Sequence, residues 1–358
     1  MRRNSILAIA LTVVFGLSAL THISGAAEKK LEPLGPVAVP SDNPQTPEKI
    51  ELGKQLFFDR RLSGDGTMNC AVCHIPDMAF ADGQAISLSY PTTKSWRNTQ
   101  TIINSAYYKY LFHDGRVTSL EGQALSPVSS SFEMNLNIDY LVEKLRVVPE
   151  YVEAFLQVFG GEITKERIAM ALAAYERTIV SKNAPLDRYL LGDRQALSED
   201  AVKGLSVFTG KGKCIECHHG PHLSDDSFHA LHVPENPDIA SDPRMLATLR
   251  YVAKVSGYSG YRTLNEDLGR YLITGDKKDW RAFRTHSLRE IARTAPYMHN
   301  GVFSSLDEVI GFIDKGGGPG NRELKPLGLT EQEKAHLKVF LAEALTGEEI
   351  TTTYPRIP

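Results

Sequence analysis

Cysteine is rare in this 358-residue chain, and none is spare: all four residues fall in two C-x-x-C-H motifs, Cys70/Cys73/His74 and Cys214/Cys217/His218. A disulfide framework is thereby excluded, although exported proteins commonly build one. An excess of one charge is also missing. Forty basic residues face 43 acidic ones, the formal net charge is −3, and no long basic run occurs. The chain therefore carries no electrostatic footprint for nucleic acid. Beyond Ile6–Leu20 no apolar run is long enough to cross a bilayer. Strand patterns are scarce, so the fold class reads as mainly α. The composition is otherwise that of a soluble globular protein with length for two ordinary domains.

The N-terminus has the layout of a secretory signal over 1–26. Arg2 and Arg3 form a basic n-region, Ile6–Leu20 an apolar stretch, and Ser24-Gly25-Ala26 a small-residue cleavage site. No membrane span is expected once it is removed. Residues 27–45 are rich in proline and charge and read as an extended arm. From Thr46 the pattern turns helical, with Ile50, Leu52, Gly53, Leu56 and Phe57 on one face just before the first motif. The arrangement recurs: Ser198 caps a helix carrying Val202, Leu205, Val207 and Phe208 just before the second motif. GKQLFFDRRLSGDGTMNCAVCH and GLSVFTGKGKCIECH share the order helix, glycine-containing loop, C-x-x-C-H, as expected of two copies of one small haem domain. Helices are also expected over 163–180, 306–313 and 331–345. The stretch 220–285 is rich in His, Pro and Asp and shows little periodicity. His219, His222, His229 and His232 cluster after the second motif and suit loop or surface roles, with metal binding or a reach to the haem edge as the alternative.

C-x-x-C-H is a haem c attachment signature. Two thiols one helical turn apart can add to the two vinyl groups, and the adjacent histidine reaches the iron. A zinc site would need both pairs to converge on one metal. The immediate histidines and the long separation argue against that. A redox dithiol would sit in a βαβ pattern, which is absent. Haem alone leaves an enzyme, an electron carrier and a haem sensor open, because the decision lies on the distal side. An electron carrier has two strong axial ligands, whereas a peroxide-activating haem keeps one position free beneath acid/base groups.

Two further segments carry a family resemblance. FHDGRVTSLEGQALSPVSSSFEM (112–134) and TAPYMHNGVFSSLDEVIGF (294–312), with RNTQT (97–101) and the two haem motifs, resemble the bacterial di-haem cytochrome c peroxidase and MauG family in colinear order. The resemblance implies two cytochrome c-like haem domains, 46–190 binding peroxide and 191–358 transferring electrons, packed with a haem pair and an interdomain site. It implies two covalent haem c groups, with His74 and His218 as iron ligands, in a periplasmic enzyme. That enzyme would reduce hydrogen peroxide with electrons from a redox donor protein (a cytochrome c or cupredoxin) or from an oxidised protein side chain. By position, Gln123, Pro127 and Glu133 match the distal pocket of the peroxide-binding haem, with Glu133 as acid/base and Gln123 orienting peroxide. Asn98, Thr294 and Pro296 match a calcium site between the haems, offering the hard oxygen ligands that Ca²⁺ takes. Arg116 and Arg289 could pair with haem propionates, since arginine offers a forked donor set, or form ordinary salt bridges.

Three departures from the family pattern stand out. The peroxidase branch has a histidine in the loop after the first motif that ligates the resting iron. Residues 75–97 contain none, so the first haem is expected to be open from the start, as in the MauG branch. His113 stands where the family has a tryptophan that relays electrons between the haems, so the resemblance gives that electron-transfer place to His113, a poorer hole carrier. Ile313 stands where the peroxidases have a methionine, and MauG a tyrosine, as distal ligand of the second haem; isoleucine cannot ligate iron.

Overall fold

The computed structural model describes residues 29–358, so the expected secretory signal lies outside the described residues. Helices dominate. The described residues form one two-stranded antiparallel sheet, β1 (Phe228–His229) with β2 (Phe283–Arg284). The first half carries α1 (Pro47–Phe58), the one-turn α2 (Cys70–Cys73), α3 (Leu120–Ala124), α4 (Ser126–Ser129), α5 (Ile138–Arg146), α6 (Pro149–Phe159) and α7 (Lys165–Glu176). The second half carries α8 (Pro185–Leu190), α9 (Glu199–Thr209), α10 (Pro237–Ser241), α11 (Pro243–Val255), α12 (Tyr271–Thr274), α13 (Leu306–Asp314) and α14 (Glu331–Val339), which continues into one π turn at Phe340–Ala344.

The local reasons for the two recurring helices are alike. Thr46 caps α1 by accepting the Lys49 N–H, with Pro47 in the first turn. Ser198 caps α9 by accepting the Ala201 N–H. Leu52, Leu56 and Phe57 are buried in one hydrophobic cluster with Ile168, Leu172 and Tyr175 of α7. Val207 and Phe208 are buried in another with Leu337 of α14 and Phe340. At each crossing a glycine lets the backbones touch. A β-carbon on Gly53 would lie 1.9 Å from the Ala171 carbonyl oxygen, and one on Gly204 would lie 2.1 Å from that of His336. These two glycines open the two related sequence segments, so what repeats is a close helix crossing placed just before each C-x-x-C-H.

The segment 220–285 departs from its sequence reading. It contains α10 to α12, and Met245, Leu249, Ala253, Leu264, Leu268 and Leu272 form a third buried cluster with Trp96. The helical period escapes a sequence reading because Pro237 and Pro243 restart the chain close together, behind the caps Asn236 and Asp242. This pad backs the loop that follows the first motif, since Ile86 and Phe132 pack against it.

Two straps cross between the halves. The N-terminal arm lies on the second half: Gly220 N–H donates to the Lys30 carbonyl at 2.7 Å, and Leu34 N–H donates to Asp187 Oδ1 at 3.1 Å. The C-terminal tail lies on the first half: Ile350 and Ile357 pack on its core, and Tyr354 meets the Phe58 ring edge-on.

Candidate haem centres and the seam between them

Both C-x-x-C-H motifs are single tight turns held by what precedes them. The Asn69 amide donates to the Phe58 carbonyl at 2.6 Å, tying the start of α2 to the end of α1, and His74 N–H closes the turn on the Cys70 carbonyl at 2.9 Å. At the second motif Lys213 adopts a positive φ of 51° and His218 N–H bonds the Cys214 carbonyl at 2.8 Å. All four cysteines are free and half-buried. Burial pushes the Cys73 and Cys214 thiols up to about 12, so they stay protonated.

The two histidines are oriented in the same way. His74 Nδ1 lies 3.1 Å from the Phe80 carbonyl and His218 Nδ1 lies 3.0 Å from that of Leu223. A carbonyl only accepts, so each Nδ1 carries the proton and each Nε2 keeps a free lone pair, the arrangement an iron ligand needs. Burial lowers both imidazoles below their usual range, which keeps them neutral. Phe80 and Leu223 hold their carbonyls in place from left-handed backbone, at φ 54° and 56°. Paired free thiols beside a neutral, correctly oriented imidazole fit a c-type haem at each motif.

Of the distal candidates, Pro127 and Glu133 are drawn together by the backbone. Met134 N–H donates to the Pro127 carbonyl at 3.1 Å, and Glu133 N–H donates to that of Ser130 at 3.2 Å. The turn is pinned to the loop before the first motif by Gly64 N–H on the Met134 carbonyl at 2.9 Å. Glu133 is near enough to Cys73 for its charge to act on that thiol. Burial raises the Glu133 carboxyl above its usual range, against the Ser130 hydroxyl and the charges of Arg116 and Arg97. Gln123 is half-buried one turn earlier, on α3, which Ser119 caps.

The RNTQT segment is bolted down by Arg97, which donates to Asp114 at 2.6 Å and to both oxygens of Asp267 at 2.6 and 3.0 Å, all buried. Asn98 then lies beside the loop that carries Thr294 and Pro296: its N–H donates to the His299 carbonyl at 2.8 Å. Its side-chain nitrogen is taken by the Gln84 carbonyl at 2.7 Å, which leaves Oδ1 for another partner. His113 is buried and donates from Nε2 to the Asn98 carbonyl at 3.0 Å. Burial, reinforced by the charge of Arg97, holds it down to about 3, so it is neutral.

Several singled-out residues have other work. Arg289 is fully buried and makes two bonds to Asp187 (2.8 and 2.7 Å) and one to the Pro221 carbonyl, so it anchors the second half beside the N-terminal arm. Arg116 lies over the Phe112 ring and pairs with Asp114. His229 is held between Asp225 and Glu323, and those bonds raise it to about 11. Ile313 is half-buried near the end of α13, and a β-carbon on the neighbouring Gly311 would meet no atom within 4 Å. Tyr297 donates its hydroxyl to the Ile291 carbonyl, and His299 stacks on Phe283 at 3.7 Å between centroids.

Sequence reading missed Gln100, Arg284 and His286. Gln100 Oε1 accepts from His286 Nε2 at 2.8 Å and from Arg284 Nη2 at 3.0 Å, and the His286 ring lies 4.9 Å from that of His113. No motif marks Arg284 or His286, and Gln100 sits in RNTQT with nothing to name its partners; only the fold brings them to one place. Arg284 Nη1 is a buried donor with no partner, which suits an anionic group such as a haem carboxylate.

Comparison with known proteins agrees with this chemistry. A family model described as di-haem cytochrome c peroxidase matches residues 47–195. A cytochrome-c peroxidase, IdrP1, of Denitromonas iodatirespirans is 46% identical over 98% of this chain and 96% of its own length. The methylamine utilization protein MauG of Methylorubrum extorquens is 35% identical over 99% of this chain and 98% of its own. Among solved structures, a MauG-like protein associated with microbial copper homeostasis superposes with a TM-score of 0.74 at 32% identity, covering 88% of this chain and 94% of that one.

Proposed function

Because the chain belongs to the di-haem cytochrome c peroxidase and MauG family of haem peroxidase enzymes, we propose that it reduces hydrogen peroxide at the first haem site with electrons received at the second. The family implies two haem groups. We read both as covalent, through Cys70 and Cys73 with His74 as iron ligand, and through Cys214 and Cys217 with His218. The haem domains, read from sequence as 46–190 and 191–358, divide better before α8, because Leu186 is buried in the second cluster. A signal over 1–26 directs the protein to the periplasm, and one Ca²⁺ is held by Asn98 and the carbonyls of Thr294 and Pro296. When bound, the haems supply a metal centre for peroxide and the store of electrons.

The chain's own part is proton handling and placement. Glu133 takes the proton from the inner peroxide oxygen and delivers it to the outer one, which leaves as water. Gln123 orients peroxide by hydrogen bonding, and Pro127 sets the turn that holds Glu133. Two electrons and two protons convert one peroxide to two waters. The observation that carries this reading is the Glu133 carboxyl, half-buried, raised above its usual range and acting on Cys73 of the first motif. The donor is a small cytochrome c or cupredoxin, in line with relatives named cytochrome-c peroxidases. A MauG-like variant, with a protein side chain as donor, is favoured by one observation: residues 75–97 supply no histidine to close the first site.

Glu133→Gln is expected to leave haem content unchanged and slow the reaction with peroxide roughly 100-fold or more, the usual scale of acid/base assistance. Stopped-flow mixing of the ferric protein with peroxide reads this, and a wild-type rate in the variant removes Glu133 from the mechanism. Low-temperature electron paramagnetic resonance of the ferric wild type should show a high-spin first haem. Two low-spin haems inert to peroxide would overturn the function itself.

A further inference from the structure

Between the two iron-ligand histidines lies a seam built by three chain segments far apart in sequence: RNTQT, FHDGR and FRTHS. They are stitched together by backbone and side chain. His113 accepts the Arg284 N–H on its carbonyl at 2.9 Å, and Arg284 Nε donates to the Phe112 carbonyl at 3.3 Å. The seam holds two imidazoles, His113 and His286, whose ring centroids are 4.9 Å apart.

Both rings are fixed by RNTQT. Gln100 Oε1 accepts from Arg284, which can only donate, so that atom is the amide oxygen and His286 Nε2 carries the proton. His113 Nε2 donates to the Asn98 carbonyl, two residues away in the same segment. Each Nε2 therefore carries a proton, and neither ring can turn without losing its bond. The seam reaches both haem motifs. Thr101, next to Gln100, donates to the Ala79 carbonyl at 2.6 Å, beside the Phe80 carbonyl that orients His74, and Ser224, next to the Leu223 carbonyl that orients His218, donates to the Thr285 carbonyl at 2.6 Å, beside His286.

We propose that His286 is a bridging residue that, together with His113, forms a two-imidazole path for electrons between the second haem site and the first. The proposal rests on the function assigned above, in which electrons received at the second site are used at the first. Each crossing would move one electron: a haem held by His218 would give it up and be oxidised by one equivalent, and the peroxide-oxidised site at His74 would take it and be reduced by one. No bond forms or breaks and no proton moves, because the rings only carry the electron across. His113 alone replaces one aromatic ring by a smaller one. The neighbouring His286 extends the path toward His218 and is held by hydrogen bonds that limit its motion.

The test uses the full two-haem protein, with the second haem reduced in advance, mixed with hydrogen peroxide in a stopped-flow spectrometer. Loss of the reduced absorbance of the second haem reads the crossing, and the change at the first haem reads peroxide uptake separately. In His286→Leu the crossing is expected to slow roughly tenfold or more relative to uptake, the scale seen when a partner just outside a metal centre is removed. His286→Gln keeps a donor for Gln100 but no ring, and slows the crossing too. It also serves if the leucine variant fails to take up haem. Midpoint potentials of both haems, measured on the same samples, are expected to change too little to account for the slowing. Unchanged crossing in either folded variant overturns the role of His286. If peroxide leaves the second haem reduced in the wild type, the assigned function falls and the bridge with it.

Discussion

Glu176, at the end of α7, shows how strongly burial governs single side chains near the first motif. It is 6% exposed, and burial raises its carboxyl to about 8 even with Arg177 next to it. Arg177 is engaged elsewhere, donating to Glu121 at 2.6 Å. The native carboxyl thus holds its proton over a range where the unfolded chain has lost it. Native stability must then fall as pH rises from the ordinary carboxylate range to about 8. Glu176→Gln removes the titration, so urea midpoints across that window should decline less steeply than in the wild type. An unchanged slope would show that Glu176 is ionised in the native protein. At this scale the candidates Glu133 and the C-x-x-C-H cysteines and histidines could be singled out because they sit in short colinear motifs. His286 was not, because its partners Gln100 and His113 are remote in sequence. Arg289 stayed open between a haem carboxylate and a salt bridge for the same reason: a lone arginine in a sequence does not reveal the Asp187 that occupies it.

Among the elements, the two helix crossings dominate. Gly53 on α1 and Gly204 on α9 are helical positions where propensity alone would favour alanine. The structure reverses that preference, because a β-carbon would collide with the backbone of α7 or α14. Gly204→Ala is expected to lower stability by roughly 1–3 kcal/mol, the usual cost of overpacking. It should also reduce the yield of the second haem, since the crossing precedes Cys214 directly. Chemical denaturation with haem quantitation checks both, and an unaltered denaturation midpoint would mean the helices separate without cost. The sequence displayed α1 and α9 through their caps and apolar faces. It concealed α10 and α11, whose closely spaced prolines broke the periodic signal.

Over the whole molecule, the straps make each half depend on the other. The N-terminal arm is bonded to the loop after the second haem motif, and the C-terminal tail closes over α1, with Arg61 donating to the Pro358 carbonyl at 2.5 Å. Removing residues 350–358 takes Ile350 and Ile357 from the first core. With both only partly buried, the loss is on the order of 2 kcal/mol. Calorimetry of the truncated protein should show the first half melting earlier and the second little changed; identical melting would show that the tail contributes no stability. Arg97 adds a link between segments, tying the loop after the first motif to Asp114 and, across the chain, to Asp267. Such a buried network is costly to break at any one member, roughly 3–5 kcal/mol.

The sequence by itself determined the local chemistry: two thiol pairs with adjacent histidines, the capped helices before them, and a motif-borne carboxylate at Glu133. These are set by spacing over a few residues, where chain geometry leaves little choice. The tertiary structure alone decided which nitrogen of His74 and of His218 is free, that Glu133 is half-buried close to Cys73, and that His113 faces His286 between the two motifs. Those outcomes depend on carbonyls, helix crossings and rings supplied by segments distant in the chain. Their geometry exists only once the hydrophobic clusters have closed and bound one half to the other.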